Sequence, residues 1–434
     1  MKNIFILMFV VLLVSSCGEN VGRIDLAGKW TVRLDSADVG IQENWPGRCY
    51  ETAIMLPGTT DMAKLGTKTM LKPALEKPQL LHLTRAYSYV GPAWYAREVE
   101  IPAEWKEKDC FLHLERVLWD TQVWVDGIKV DGHEESLVSP HCYNLTSYLQ
   151  SGEKHLLTVR VDNRKRYDIS VNDLAHAYTN ATQVMWNGIL GDMYIEAVDK
   201  VRVDDVQIYP DVASRSAKVA VTVCNSEDVQ QEAMLELLVL GEKDGKEYGI
   251  ANKKISVGPG KTLVELECTL DKDAPLWSEF TPNLYCANVE LKSEKGTSCV
   301  SERFGLRQIA QAGSCLMLND RPIFLRGTLE CCIFPLTGTP PTDEEAWREL
   351  YSSAREYGLN HLRFHSWCPP EAAFNVADEM GFYLQVELPV WSVTLGSDSA
   401  TIDFLRAEAS RIRKEYGNHP SFCFWSLGNE LQYD

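Results

Sequence analysis

Three carboxylates in the C-terminal part of the chain stand where apolar segments end. Glu330 and Glu387 close two of these segments, and Glu430 follows residues 422–427 (FCFWSL), which predict a buried parallel strand. The catalytic groups of α/β barrels lie at the carboxyl ends of such strands. Asn429, beside Glu430, offers an amide that can bond a hydroxyl group. These residue types predict a site at one edge of a parallel sheet.

Paired carboxyl groups can hydrolyse a glycosidic bond when they face each other across the glycosidic oxygen. One then acts as the acid, and the other as nucleophile or base. Glu430 is the stronger candidate for the acid. The alternative interpretation is a solvent-facing glutamate after a turn, because a five-residue match (SLGNE) deserves little trust on its own.

The segment that carries these residues alternates between predicted strands and predicted helices, which indicates a parallel sheet. We predict strands at residues 322–327, 361–364, 382–388 and 422–427. Four such units make about half of the roughly 250 residues that a (β/α)8 barrel usually needs. Residues 306–434 are therefore predicted to be the N-terminal half of a TIM barrel, an incomplete α/β domain.

Three helices are predicted between these strands. The first begins at Thr342, which forms a capping box with Glu345. The second covers residues 370–380 and ends at Gly381, and Thr401 caps the third. We expect the first helix to bury one apolar face, made of Trp347, Leu350, Tyr351, Ala354 and Tyr357.

Two all-β domains are predicted before this segment. Residues 17–199 read as many short alternating strands between turns, which favours a jelly-roll sandwich. Residues 200–305 hold about seven regularly spaced strands, which favours an immunoglobulin-like sandwich. The predicted fold class is thus multidomain: jelly roll, immunoglobulin-like sandwich, then half a TIM barrel.

The first sixteen residues are typical of a signal peptide. A basic start at Lys2 precedes an apolar stretch that is too short to span a bilayer as a mature helix. Residues 14–18 (VSSCG) resemble a bacterial lipobox, so we expect Cys17 to carry lipid, the alternative being plain secretion. The predicted location is the cell envelope, in the periplasm or at the outer membrane, with contact to the membrane through the lipid anchor only.

Composition excludes some functions. The formal net charge is −18 without a long acidic block or a basic face, which argues against nucleic acid as a partner. The thirteen cysteines have haphazard spacings, and neither a CxxC nor an HExxH motif occurs. We therefore expect neither a metal nor a cofactor.

Residues 418–430 (NHPSFCFWSLGNE) resemble the acid/base signature of glycoside hydrolase family 2. That family includes β-galactosidases, β-glucuronidases and β-mannosidases. Further segments are similar to its sugar-binding domain and to its entry into the barrel: GKW at 28–30, LPGT at 56–59, VGPAWY at 90–95, WVDG at 124–127, WNGILGD at 186–192, FGLR at 304–307 and LNDRPIFLRG at 318–327. The resemblance covers nearly everything after the signal peptide.

This resemblance implies a retaining mechanism in which Glu430 is the acid/base and Asn429 holds the sugar 2-hydroxyl. It also implies that the nucleophile is a glutamate from a late barrel strand, which matches no position here. Glu330 and Glu387 come from early strands and are not assigned that role. Because of the missing strand, we expect the chain to be a piece of a longer gene product.

Four further residues are assigned to the sugar pocket by this resemblance. Arg363 either orients groups in the pocket or forms an ion pair in a barrel layer. His365 and Trp367 follow at the strand mouth and are expected against the sugar, the alternative being structural roles. Glu387 is expected to bind a sugar hydroxyl, or else to support its neighbours.

Two departures from the family pattern weaken the case for galactose or glucuronic acid as the bound sugar. Thr182 stands where galactosidase-like and glucuronidase-like members commonly have an aspartate, and residues 328–332 (TLECC) replace their asparagine and histidine groups. The sequence favours an exo-acting β-glycosidase that trims oligosaccharides, with a β-galactoside or a related glycan as substrate. The alternative is a non-catalytic glycan-binding or assembly lipoprotein on the same scaffold.

Overall fold

The computed structural model describes residues 22–68, 86–171, 178, 185–334 and 336–432. Cys17, the predicted signal peptide and Thr182 lie outside these residues, so what was expected of them stays a prediction. Within the described residues, no helix is long and apolar enough to cross a membrane. The domain limits given above also stay predictions.

The first domain is a sandwich of two antiparallel sheets, with a short strand pair beside it. The first sheet has the order β1-β14-β8-β12, with β4 on β14: β1 (Arg23–Asp25), β4 (Gly58–Thr59), β8 (Asp109–Arg116), β12 (His141–Asn144), β14 (Gly188–Val198). The second has the order β10-β9-β13-β7-β2-β3, with β11 on β9: β2 (Gly28–Leu34), β3 (Thr52–Leu56), β7 (Pro92–Glu100), β9 (Asp120–Val125), β10 (Ile128–Lys129), β11 (Glu134–Glu135), β13 (Lys154–Asp162). The strand pair is β5 (Thr67–Lys68) with β6 (Tyr87–Ser88), and a 3-10 turn covers Ala103–Trp105.

Strand β7 shows why this sequence forms a sandwich. Its residues alternate between two covered faces, as the period of two predicts. Tyr95 and Val99 point into the core between the sheets. Trp94, on the other face, packs against Trp45 and Trp124. Both faces of the strand are therefore apolar and buried over residues 92–96, whereas Glu98 and Glu100 farther along are exposed.

The second domain is also a two-sheet antiparallel sandwich. Its sheets have the orders β15-β16-β19 and β18-β17-β20-β21: β15 (Val201–Asp211), β16 (Ser216–Asn225), β17 (Gln231–Gly241), β18 (Glu247–Val257), β19 (Gly260–Thr269), β20 (Tyr285–Ser293), β21 (Gly296–Phe304). One apolar core lies between them. The mostly-β, multidomain architecture expected from the sequence is confirmed.

The last part contains a parallel sheet with the order β25-β26-β27-β28. It follows a small antiparallel sheet of β22 (Ile309–Ala312), β23 (Cys315–Leu318) and β24 (Arg321–Ile323). The parallel strands are β25 (Gly327–Glu330), β26 (His361–Phe364), β27 (Tyr383–Glu387) and β28 (Phe422–Ser426). Four parallel strands agree with the prediction, whereas a complete or half barrel remains a prediction.

The sequence-based prediction of the first parallel strand was wrong. Residues 322–327 were predicted as the first parallel strand, but Pro322 pairs with Met317 in the antiparallel sheet. Leu325 packs in a small apolar cluster beneath that sheet. The parallel strand begins at Gly327, where an added Cβ would lie 2.3 Å from the ring of His361. Only glycine permits this approach of two neighbouring strands.

Three helices connect the parallel strands: α1 (Glu344–Glu356), α2 (Glu371–Met380) and α3 (Ser399–Tyr416). Two predicted caps were wrong, because an aspartate takes the N-cap in each case. The side chain of Asp343 accepts from the N–H of Ala346 at 2.9 Å, and Asp398 accepts from the N–H of Ala400 at 3.1 Å. Tyr357, expected on the buried face of α1, is its C-cap residue and is 86% exposed.

The first domain and the α/β part share one hydrophobic core. Trp119 of the first domain is fully buried against Phe404 of α3, with ring centroids 5.4 Å apart. Glu408, on the same helix and fully buried, accepts hydrogen bonds from Oγ of Ser136 at 2.9 Å and from the N–H of Leu137 at 2.8 Å. The first domain is therefore a structural neighbour of the sheet that carries the site.

Candidate active site

The three candidate carboxylates lie at the carboxyl end of the parallel sheet. Glu330 and Glu387 are the last residues of β25 and β27, and Glu430 follows the end of β28. Alternation along the strands separates two faces: Leu362 joins the core under the helices, whereas Arg363 lies on the opposite face. Side chains at the carboxyl ends of that polar face can reach a common ligand.

A hydrogen-bonded chain of three side chains links three positions of this edge. Nε of Arg363 donates to Oε1 of Glu387, and Nη2 of Arg363 donates to Oδ1 of Asn429 at 3.0 Å. Because the carbonyl oxygen of Asn429 is thereby engaged, its amide N–H groups are left to donate to a ligand hydroxyl. The structure thus shows Arg363 in an ion pair with Glu387 and in a hydrogen bond with Asn429. Its role in orienting a ligand stays a prediction.

Glu387 is a supporting carboxylate in this arrangement. Its side chain is fully buried, and its second oxygen accepts from the N–H of Ser366 at 2.9 Å. Both oxygens are therefore occupied by protein donors. Direct contact with a sugar hydroxyl, the role expected for Glu387, stays a prediction, and it would need a ligand to reach this buried carboxylate.

The turn after β28 presents Glu430. Gly428 has φ +137°, and the N–H of Asn429 donates to the carbonyl of Val390 at 3.0 Å. Glu430 adopts the left-handed conformation at φ +45° and its side chain is exposed. Left-handed backbone in a residue other than glycine is uncommon and gathers at functional sites. Within the described part of the chain, its carboxylate makes no hydrogen bond or ion pair and is free to meet a ligand.

Trp367 lies away from the position expected for it. The side chain is 3% exposed and packs among Phe364, Trp347 and Phe334. Its indole N–H donates to the carbonyl of Glu330 at 3.1 Å. The indole faces of Trp367 are therefore part of the core, and a sugar has no access to them in this structure.

His365 is buried at the same edge, with 6% exposure. Its backbone N–H donates to the carbonyl of Glu330 at 2.8 Å. Its ring meets that of Trp391 edge-to-face, with centroids 5.4 Å apart. The structure thus places His365 beside an aromatic residue that follows β27.

Glu330 is the third carboxylate of the edge. Burial raises the pKa of its carboxyl to about 7, although the N–H of Cys332, which donates to Oε2 at 3.0 Å, acts in the opposite direction. Such a group can be neutral near pH 6. Its sheet position is the outer strand β25, at the far side of the sheet from β28.

One cluster of possible metal ligands occurs among the described residues, in the first domain: Asp120, His133 and Glu135. A cation already neutralises it, because Arg166 contacts Asp120 at 3.2 Å and Glu135 at 3.1 Å. The guanidinium of Arg166 therefore supplies a positive charge to both carboxylates of this cluster.

The entry of β28 is fixed by a buried pair that sequence reasoning missed. Nδ1 of His419 lies 2.6 Å from Oδ2 of Asp378, whose other oxygen accepts from the N–H of Ser421 at 2.9 Å. Burial lowers the pKa of His419, but the charge of Asp378 and the hydrogen bond outweigh it and raise the pKa overall. The sequence feature that could have indicated this pair is His419 in the NHP motif. Its partner Asp378 is on α2, too far away in sequence for a local pattern to connect the two.

Two sequence models of one family match this chain. The sugar binding domain of glycosyl hydrolases family 2 matches residues 24–194, and the model described as glycosyl hydrolases family 2 matches residues 201–307. Together the two models span more than half of the chain. The chain belongs to glycoside hydrolase family 2. The family resemblance of the sequence is thereby confirmed for the two β domains.

Known family 2 proteins resemble this one along most of its length. A β-galactosidase of Clostridium acetobutylicum is 25% identical over 376 residues, which are 80% of this chain and 39% of that protein. The structure of Bacteroides uniformis β-glucuronidase aligns with a TM-score of 0.74 at 19% identity, covering 94% of this chain and 47% of that one. A Ruminococcus gnavus β-glucuronidase in complex with D-glucaro 1,5-lactone aligns with a TM-score of 0.75 at 18% identity, over 96% and 68% of the two chains.

These family 2 relatives are glycosidases, and the two structures establish the likeness of the fold. The chain spans about two fifths of the length of the curated β-galactosidase that it matches. Its own activity and substrate are therefore treated below as proposals.

Proposed function

We propose that this family 2 chain belongs to an exo-acting β-glycosidase that works by retaining double displacement, with Glu430 as the acid/base. The observation that carries the proposal is the arrangement at the end of β28. There an exposed glutamate follows Asn429, whose amide is oriented by Arg363. A carboxyl beside an oriented amide donor suits protonation of a glycosidic oxygen next to a bound hydroxyl.

The covalent nucleophile, in this proposal, comes from a barrel strand outside residues 22–432. Retaining enzymes need a second carboxylate about 5 to 5.5 Å from the first. Glu387 is unsuited, because its carboxylate is fully buried and is paired with Arg363 and the N–H of Ser366. Glu330 is on the opposite outer strand, since the sheet places β26 and β27 between β25 and β28. It is therefore not assigned as the partner of Glu430.

The edges of the sheet support further barrel units. Within the described residues, β25 and β28 each pair on one side only. Leu329 on β25 is 52% exposed, and Trp425 and Leu427 at β28 are 36% and 67% exposed. Parallel sheets normally occur with their strands covered. We propose that additional β/α units cover these residues and bring the nucleophile to Glu430.

The proposed substrate is an oligosaccharide with a terminal β-galactoside or a related glycan. The names of the relatives support this class, and the departures at Thr182 and at residues 328–332 leave the sugar to experiment. A second function, glycan binding without hydrolysis, is favoured by one observation: Glu430 is the exposed carboxylate of this edge, and Glu387 is engaged.

The test uses the full-length protein and a panel of aryl β-glycosides that includes galactosides and glucuronides. We expect release of the aglycone from at least one substrate, and a loss of at least about 100-fold in Glu430→Gln, as expected for removal of a general acid. Glu349→Gln, which removes an exposed carboxylate from α1, is the matched control. Turnover that survives in Glu430→Gln contradicts the proposal, and glycan binding without turnover by the unmodified protein supports the second function.

A further inference from the structure

Trp391 is an aromatic residue near the carboxyl end of β27 that keeps some exposure. Trp367, which the sequence placed against the sugar, is instead enclosed by three aromatic rings. Trp391 follows β27 by four residues and is half-buried. An aromatic ring that retains exposure beside a polar pocket can receive an apolar ligand face, whereas a ring sealed in the core cannot.

The position of Trp391 is tied to the proposed acid/base. The carbonyl of its neighbour Val390 accepts the N–H of Asn429 at 3.0 Å. Gly428 packs so closely that an added Cβ would lie 2.6 Å from Cγ1 of Val390. The segment of Trp391 thus lies directly on the turn that presents Glu430.

The backbone of Trp391 is held from both sides by the first domain. Its N–H donates to the carbonyl of Ile169 at 2.8 Å, and its carbonyl accepts the N–H of Val171 at 2.8 Å. These bonds make a parallel bridge between Ser170 and Trp391. Ile169 is fully buried in the shared core. The first domain therefore fixes the main chain at this position.

The ring itself is oriented by His365. The two rings meet edge-to-face at 82°, with centroids 5.4 Å apart. A side chain that is fixed before binding loses little conformational entropy when a ligand arrives. Hydrogen bonds thus hold the main chain of Trp391, and the contact with His365 holds its ring.

We propose that the indole of Trp391, whose main chain the first domain holds, is the stacking platform for the pyranose ring bound at Glu430. This inference rests on the proposed glycosidase function. The ligand class is a β-linked pyranoside with an apolar C–H face, such as the face that a galactoside presents opposite its axial hydroxyl. Stacking acts on the bound sugar before and during the reaction, so it contributes to binding more than to the chemical step.

The test compares Trp391→Leu, Trp391→Ala and Trp391→Phe in the full-length protein with the best aryl glycoside of the panel. Leucine keeps apolar bulk but lacks an aromatic face, and phenylalanine keeps the face. We expect KM to rise about 10-fold in Trp391→Leu and Trp391→Ala with kcat within about threefold, as for loss of uniform binding. Trp391→Phe should recover most of the affinity. Tyr209→Ala, which removes a half-exposed aromatic from β15, is the control.

Each outcome bears on the inference. An unchanged KM in Trp391→Leu overturns the platform and leaves the glycosidase proposal intact. A fall in kcat at constant KM also overturns it, because Trp391 would then position the Glu430 turn rather than bind sugar. If the unmodified protein hydrolyses none of the glycosides, the proposed function fails and this inference fails with it. Circular dichroism and thermal unfolding identify a misfolded Trp391→Ala, in which case the leucine variant decides.

Discussion

Nη2 of Arg363 donates a hydrogen bond to Oδ1 of Asn429 across 3.0 Å, while Nε of the same guanidinium pairs with the buried Glu387. One side chain thus joins the ends of β26 and β27 to the turn after β28. The bond fixes which end of the Asn429 amide faces the ligand. The amide N–H groups of Asn429 are therefore the donors that this candidate site offers to a ligand.

Arg363→Met should reduce both activity and stability. Loss of the bond to Asn429 removes a hydrogen bond from a charged donor, worth about 1.5–3 kcal/mol, so kcat/KM of the full-length protein should fall about 10- to 100-fold. Glu387 is left as a buried carboxylate without its cation, which costs about 3–5 kcal/mol of the free energy of unfolding. Water that enters through the partly exposed position of Arg363 and solvates Glu387 reduces this cost. Arg406→Met on the surface of α3 is the control.

A double variant separates these two effects. Arg363→Met combined with Glu387→Leu removes the unpaired charge and should recover part of the unfolding free energy, because the residues couple directly. Activity should stay low, since Asn429 is still unsupported. Urea unfolding and aryl-glycoside kinetics on the three variants measure both quantities, and additive losses of stability would contradict the coupling.

The His419–Asp378 pair predicts a pH dependence of stability. Asp378 raises the pKa of His419 in the folded protein against the opposing effect of burial. The folded state therefore holds the proton more tightly than the unfolded state, whose histidine pKa is about 6.5. The contribution of this pair is fully present below about pH 6.5 and is lost as the pH rises through the folded pKa.

Replacement of His419 by glutamine should flatten this dependence. Between pH 6 and pH 9 the unfolding free energy of His419→Gln should decrease less than that of the unmodified protein. Urea unfolding at four pH values gives the two curves. His133→Gln, which changes a histidine in the first domain, is the comparison, and parallel curves for His419→Gln and the unmodified protein would contradict the prediction.

Phe404→Ala should weaken the first domain as well as α3. The ring is 3% exposed and packs against Trp119 and Tyr167 of the first domain. Loss of a buried phenylalanine costs about 3–5 kcal/mol. Hydrogen exchange should show faster opening in β9 and in the segment around Tyr167. Faster exchange confined to α3 would show that the shared core does not couple the two parts.

We further propose that Cys17 becomes the lipidated N-terminal residue of an exported protein. Mass spectrometry of the protein purified from membranes should find a diacylglyceryl group on Cys17. Cys17→Ser should move the protein to the soluble fraction, and Cys49→Ser is the matched control. An unmodified residue other than Cys17 at the mature N-terminus would rule out this proposal.

The sequence predicted most clearly what depends on local periodicity. Strand β26 has the predicted bounds, and α2 ends at Gly381, whose φ is +74°. The caps of α1 and α3 were assigned to threonines because a nearby aspartate competes for the same backbone donors. Local pattern alone cannot rank such neighbours.

The site was predictable in its residues but less so in their environment. The order β25-β26-β27-β28 brings Glu387, Arg363 and Asn429 together, as a parallel sheet predicts. Whether an aromatic residue is exposed depends on distant packing, and therefore the sequence could not show that Trp367 is buried among three aromatic rings whereas Trp391 is half-buried. The bond from Ile169 to Trp391 joins residues more than 200 positions apart, which no local pattern reveals.

The most direct test of the account is the product that Glu430→Ala forms from an activated aryl β-glycoside in the presence of azide. An activated leaving group needs no acid, and azide needs no base, so azide should restore turnover and yield the β-glycosyl azide. That result identifies Glu430 as the acid/base of a retaining enzyme. Formation of the α-glycosyl azide would make Glu430 the nucleophile, and absence of any rescue would contradict its assignment as the acid/base.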